Sequence, residues 1–106
     1  MERVGFLFKI RKEKLSEYKE HHKQVWPKML EALHRHGWRN YSLFLDKDGL
    51  LFGYFEAESS FQDSLDGMAS EGINTEWQEF MAPFFEELDG RPDEFLVPLE
   101  PIFHLE

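Results

Sequence analysis

Residues 38–58 read WRNYSLFLDKDGLLFGYFEAE. Two aromatic-rich runs flank the tetrapeptide Asp46-Lys47-Asp48-Gly49. Alternation within each run argues a strand, and Asp-Gly between two strands is a strong hairpin signal because both residues accept positive φ. The spacing predicts a hairpin reversing at Asp48-Gly49. Both faces of its first strand are largely apolar or aromatic: strict alternation puts Trp38 and Phe44 on one, and Tyr41, Leu43 and Leu45 on the other. A strand covered on both faces needs two layers. Helices can supply one, and a second subunit is the expected source of the other.

Upstream, RVGFLFKI (residues 3–10) alternates so that Val4, Phe6, Phe8 and Ile10 share a face, which predicts a strand. From Glu13 the period changes. Leu15, Tyr18, His22, Val25, Trp26, Met29, Leu30 and Leu33 recur at three- and four-residue steps, one stripe of an amphipathic helix. Pro27 is expected to kink or split that helix near residue 26. Gly37 is its expected end, with His34, Arg35 and His36 at the negative pole. Past the hairpin, Ser59 or Ser60 is the expected N-cap of a helix carrying Phe61, Leu65, Met68 and Ala69. A second piece restarts after Gly72, with Asn74 or Thr75 as cap and Trp77, Phe80, Met81 and Phe84 at helical spacing. Glu86, Glu87 and Asp89 read as its solvated end. EFLVPLEPIFHLE (residues 94–106) reads as a last strand, interrupted by Pro98 and Pro101 and so placed at an edge or bulge. The order β-α-β-β-α-β defines an α+β, ferredoxin-like fold, with helices on one face of an antiparallel sheet. The aromatic open face is expected to be covered by a second copy.

A length of 106 residues fits one domain spanning 1–106. Twelve basic against 21 acidic residues give a net charge of −9, a field that repels phosphate backbones and anionic lipid heads. Nucleic acid and membrane surfaces are therefore disfavoured, and a neutral ligand or another protein is easier to accommodate. With no cysteine, disulfides and thiolate metal sites are excluded, and the reducing cytoplasm is the simplest home. The opening residues lack the apolar run of a secretory signal, and no stretch approaches the roughly 20 apolar residues of a membrane span. Aromatic residues make up 16%, eleven of them Phe, so some rings are expected to serve an interface or a pocket.

The segment YKEHHKQVWP (residues 18–27) concentrates groups that hold a ring or move a proton. Tyr18 and His22, four apart, share a helix face, and Trp26 follows one turn on. The stripe aims this column at the sheet. His21 lies about 100° round the helix and is expected to be solvated. Geometry alone leaves His22 three roles: a core residue bonded to a carbonyl, a proton donor or acceptor, or, least favoured, a metal ligand. No HExxH occurs, His34 and His36 diverge, and so do His21 and His22, so no metal site is expected. GxSxG and glycine-rich phosphate loops are also absent. Ser42 reads as packing, and Asp46 and Asp48 as turn formers.

Three blocks together resemble the L-rhamnose mutarotase family: EYKEHHKQVWPKML, GWRNYSLFLDKDGLLFGYFE and NTEWQEFMAPFF. They carry Tyr-x3-His-x3-Trp-Pro, then Asn-Tyr-Ser on a strand, then a late-helix tryptophan, in order from Val4 to about Phe85. The resemblance implies a dimeric α+β barrel of ferredoxin-like subunits, an isomerase that interconverts the α and β anomers of L-rhamnose without cofactor. It implies His22 as proton donor, Tyr18 and Tyr41 as sugar contacts, and Trp77 with Gln78 as the late-helix contact. Some members carry Trp-Trp where this chain has Trp77-Gln78, and the Gln78 amide is expected to bond a hydroxyl where an indole would stack. Physical chemistry agrees with this picture: rings cover the apolar face of a pyranose, and Tyr, Asn and Gln tips reach its hydroxyls. Trp26, Trp38 and Trp77 are the stacking candidates. Tyr41 is taken to face the pocket and Asn40 to be structural. Two competing readings keep the fold. One is a cofactor-free monooxygenase of the same barrel class, and the other is a non-catalytic sugar- or heme-binding module.

Overall fold

The computed structural model describes residues 1–86, 88 and 90–106. Glu87 and Asp89, read above as part of a solvated helix end, lie outside them. Strands β1 (Glu2–Lys9), β2 (Trp38–Leu45) and β3 (Leu50–Ala57) form an antiparallel sheet in the order β1-β3-β2. Helices α1 (Leu15–Lys23), α2 (Pro27–Arg35), α3 (Phe61–Ala69) and α4 (Gly72–Met81) cover one face. This α+β arrangement is consistent with the ferredoxin-like fold.

Alternation sets the layers. Val4 and Phe6 of β1 and Leu51, Phe55 and Ala57 of β3 are buried beneath the helices, paired as Val4↔Phe55 and Phe6↔Gly53. A Cβ on Gly53 would sit 2.1 Å from the end of the Phe6 ring, so the bare backbone is the floor on which that ring lies. Gly53→Ala is expected to cost about 1–3 kcal/mol by forcing Phe6 off its position. Chemical denaturation should show a lower midpoint at unchanged slope, and an unchanged midpoint would contradict this packing account.

The hairpin forms with a different turn from the one expected. Only Gly49 takes positive φ (97°), and Asp48 does not. The Gly49 amide donates to the Asp46 carbonyl at 3.2 Å, and the Asp46 carboxylate accepts from the amides of Asp48 and Leu50 at 2.9 Å each. The result is a longer reversal closed by one left-handed glycine and an aspartate that bonds its own backbone.

β2 also departs from simple alternation. Arg39 pairs with Glu56 but Ser42 pairs with Tyr54, so three steps on β2 span two on β3. The extra residue is a bulge, and Asn40 within it has φ 49°. Trp38 is thereby carried to the helix-covered face together with Tyr41, not to the face of Phe44. Trp38 stacks on Phe55 at 3.8 Å with the rings 15° apart.

Pro27 divides the first helical stretch, as its chemistry requires. Trp26 has φ −54° and ψ 129°, the extended conformation imposed on a residue before proline, and Pro27 then opens α2. Ser60 caps α3 by accepting from the Asp63 amide. Neither Asn74 nor Thr75 caps α4; the N-cap is Glu71, and Asn74 is buried inside.

The final stretch does not join the sheet. Pro92–Phe95 is a short 3-10 turn, and residues 96–106 take no regular structure. One backbone bond, from the Leu99 amide to the Gly5 carbonyl at 2.7 Å, ties this tail to β1. Pro98 and Pro101 flank it and have no N–H to offer a ladder. Ile102, Phe103 and Leu105 are almost wholly exposed, as are large parts of Leu7, Phe44, Leu50 and Phe52 on the uncovered sheet face.

Candidate active site

Between the helices and the covered sheet face lies a cavity of about 370 Å³, within the size range of small-ligand sites. Tyr18 and His22 reach it from α1, Tyr41 from β2, and Trp77 and Gln78 from α4. Six of the seven residues singled out as site candidates therefore line one space, Trp38 of β2 among them. Trp26 does not: the break before Pro27 takes it off the α1 stripe, and it packs edge-on against Trp77 at 4.9 Å and beside Phe80 at 5.5 Å. It buttresses the indole that lines the cavity. His21 is not fully solvated either, since it meets Phe80 at 4.7 Å and Phe84 at 5.6 Å edge to face.

Helix spacing brings Tyr18 and His22 into contact, with ring centroids 4.3 Å apart. Trp77 stands edge-on to His22 at 5.6 Å. Among the described residues, the imidazole has a single hydrogen bond, between Nδ1 and the backbone carbonyl of Tyr18 at 2.9 Å. A carbonyl can only accept, so Nδ1 carries the proton and donates. In the neutral ring Nε2 is then the bare, basic nitrogen, at the far side of the ring from its helix. Burial pulls the His22 pKa below its ordinary 6.5, partly opposed by the carbonyl bond. Neutral His22 therefore prevails at neutral pH, with its free lone pair available to a ligand.

The two phenols are different in kind. Desolvation pushes the Tyr18 pKa far up, and the neighbouring Tyr41 raises it further. Tyr41 is likewise raised by desolvation. Its surface is 39% exposed, and it lines the cavity. Both stay protonated at neutral pH, as hydrogen-bonding groups and not as bases.

Gln78 was expected to present a free amide. It lines the cavity, but it donates to Asn74 Oδ1 at 3.1 Å and accepts from the Asp93 amide at 3.1 Å. Asn74 and Asp93, which also line the cavity, were not anticipated. Asn74–Gln78 has the i, i+4 spacing that revealed Tyr18–His22, so half of this group was detectable. Asp93 comes from a distant loop and left no local signal. Among the described residues, no group of three or more His, Asp or Glu side chains gathers as a metal site, and no helix is long and apolar enough to cross a membrane.

The fold and cavity define a class: a ferredoxin-like α+β domain with an aromatic-walled pocket and a histidine whose ring nitrogen is held in one protonation pattern. The family model for L-rhamnose mutarotase matches residues 3–105. An L-rhamnose mutarotase of Oceanobacillus iheyensis is 37% identical and one of Bacillus subtilis 34% identical, each alignment covering the whole of both chains. The crystal structure of an L-rhamnose mutarotase from Formosa agariphila superposes with a TM-score of 0.80 at 31% identity, again over the whole of both chains. The chain belongs to the L-rhamnose mutarotase family. These relatives do not favour the monooxygenase or the heme- or sugar-binding module.

Proposed function

We propose that this protein is an isomerase that interconverts the α and β anomers of L-rhamnose, with His22 as the group that moves the proton. The observation carrying this reading is the Tyr18 carbonyl bond to His22 Nδ1 inside an aromatic cavity of monosaccharide size. Nε2 takes the proton of the anomeric hydroxyl while the bond from the anomeric carbon to the ring oxygen breaks. The anomeric carbon becomes an aldehyde, and the ring oxygen takes a proton. The imidazolium formed in the first half is the acid that returns the proton. The aldehyde then turns about the bond to its neighbouring carbon and recloses by the reverse path. One imidazole thus serves as base and then acid, which suits a group with a pKa near operating pH. Tyr18 and Tyr41, both protonated, bind hydroxyls, and Trp77 covers an apolar face of the ring. No cofactor is required by these steps. A chain without cysteine is also at home in the cytoplasm, which this reading includes.

Saturation-transfer proton NMR between the two anomers of L-rhamnose tests the activity. Exchange well above the buffer rate on adding the protein is the expected result. No acceleration by a folded protein would discard this reading, and oxygen uptake with a quinol would then be the next measurement.

The reading includes a homodimer paired through the uncovered sheet face. Leu7, Phe44, Leu50 and Phe52 lie exposed there, and Phe44 and Phe52 pair at 6.2 Å. Isologous pairing would repeat each contact twice. Phe44→Glu is expected to weaken association by about 2–4 kcal/mol, read as a shift from dimer to monomer in sedimentation velocity. A wild type that sediments as a monomer at all concentrations would refute the pairing.

A further inference from the structure

We propose that Asp93 is a specificity-determining residue that accepts a hydrogen bond from one ring hydroxyl of the sugar, at the part of the cavity wall formed with Gln78. This inference rests on the mutarotase reading.

The argument begins with a closed chain of hydrogen bonds. Arg91 Nε and Nη2 donate to the two oxygens of Asp93 at 3.2 and 3.0 Å, and Arg91 Nη1 donates to the Thr75 hydroxyl at 3.3 Å. Asn74 Nδ2 donates to Asp93 Oδ2 at 3.0 Å and to the Met68 carbonyl at 3.0 Å. Both of those partners are pure acceptors, so the Asn74 amide has one permitted orientation, with Oδ1 towards Gln78. Gln78 must then give its NH2 to Asn74 and its oxygen to the Asp93 amide, and it does. Every member fixes the next. The turn at residues 91–93 is thereby fastened to α4 from three directions.

Capacity left over inside this chain decides what a ligand meets. Both Asn74 amide hydrogens are spent, and Asp93 Oδ2 already accepts two bonds. Among the described residues, Asp93 Oδ1 accepts only from Arg91 Nε, which leaves it one acceptor site. Gln78 Nε2 retains one hydrogen. Among lining residues that are largely rings and aliphatic side chains, Asp93 and Gln78 thus bring one spare anionic acceptor and one spare amide donor, a pair of the kind that adjacent hydroxyls of a pyranose would use. Arg91 holds both oxygens of the carboxylate in place, so Asp93 is positioned to accept a hydrogen bond from a hydroxyl. His22 meets Trp77, whereas this pair centres on Gln78, the next residue round α4. The chemistry and the selection are thereby assigned to different groups.

A site built around a hydrogen-bond acceptor rejects analogues lacking the matching hydroxyl. The test measures enzyme-dependent anomer exchange of L-rhamnose and of its 2-, 3- and 4-deoxy derivatives, with wild type and Asp93→Ala. Comparing the enzymes on the same sugars cancels the intrinsic reactivity of each sugar. Expected is a fall in kcat/KM for L-rhamnose of roughly 10–100-fold, carried mainly by KM, with little change on one deoxy sugar. The preference for L-rhamnose over that sugar would then collapse. An equal loss on all four sugars would make Asp93 merely a fastener of the turn and overturn the proposal, as would no loss at all. Asp93→Asn, of the same size, covers the case in which the alanine variant does not fold: partial loss of the same preference supports the role, and an unchanged preference sinks it. A wild type inactive on L-rhamnose would instead refute the mutarotase reading, so the two failures are distinguishable.

Discussion

His22→Ala is expected to lower the enzyme-dependent exchange of L-rhamnose anomers by roughly 10²–10⁴-fold, the range of one positioned acid–base group. The cavity and its tyrosines remain, so KM should change far less than kcat. Saturation-transfer NMR on the two proteins at matched concentration reads the difference directly. Equal rates would move the proton transfer to another group. The pH profile adds a second constraint. Burial holds the folded-state pKa of His22 below 6.5, so the neutral ring predominates above that value. Activity should be level at neutral pH and above and fall as pH drops through the lowered pKa. A resting imidazolium acid would give the opposite slope. Stability follows the same sign: the unfolded chain takes up the proton first, so the contribution of neutral His22 is full above pH 6.5 and is lost as pH falls towards the folded-state value.

The second large effect falls on the sheet. Trp38→Ala removes an indole that is 9% exposed, stacked on Phe55, and bonded through Nε1 to the Ser64 carbonyl at 3.2 Å. Loss of a buried tryptophan is expected to destabilise the protein by about 3–5 kcal/mol, a large share of the stability of a domain this size. Trp38→Phe keeps a ring on Phe55 and loses the indole N–H with part of the volume, so a smaller loss is expected. Urea denaturation of the two variants separates packing from the bond. Equal midpoints for both would show that the Ser64 contact, not the stack, holds this corner.

Legibility in the sequence followed the range of each interaction. The helix stripe through Tyr18 and His22 and the hairpin around Gly49 are set by periodicity and by residues a few positions apart, and both were readable. The fate of Trp26 was half readable: Pro27 announced a break, but helical spacing still drew Trp26 into the column, although the residue before a proline is pushed to an extended conformation. The Asn40 bulge was not readable from alternation, because two residues opposing one is a property of cross-strand register. The tail shows the converse error, in which apolar residues suggested a strand that Pro98 and Pro101 cannot pair. Within the cavity, spacing and resemblance together point to Tyr18, His22, Trp38, Tyr41, Trp77 and Gln78. The spacing does not reveal the bond that Gln78 accepts from the Asp93 amide, fifteen residues on, whereas its other partner, Asn74, lies at the legible i, i+4 distance.

The bulge at Asn40 makes β2 a strand with two reading frames. Before it, even-numbered Trp38 faces the helices; after it, odd-numbered Tyr41, Leu43 and Leu45 do. A single supernumerary residue thus lets one strand present a stacking indole and a cavity-lining phenol to the same side, which strict alternation forbids for residues three apart. Asn is one of the few side chains that sits at φ 49° at little cost. The frame shift therefore brings both rings to one wall of the cavity, where Trp38 and Tyr41 meet at 5.0 Å.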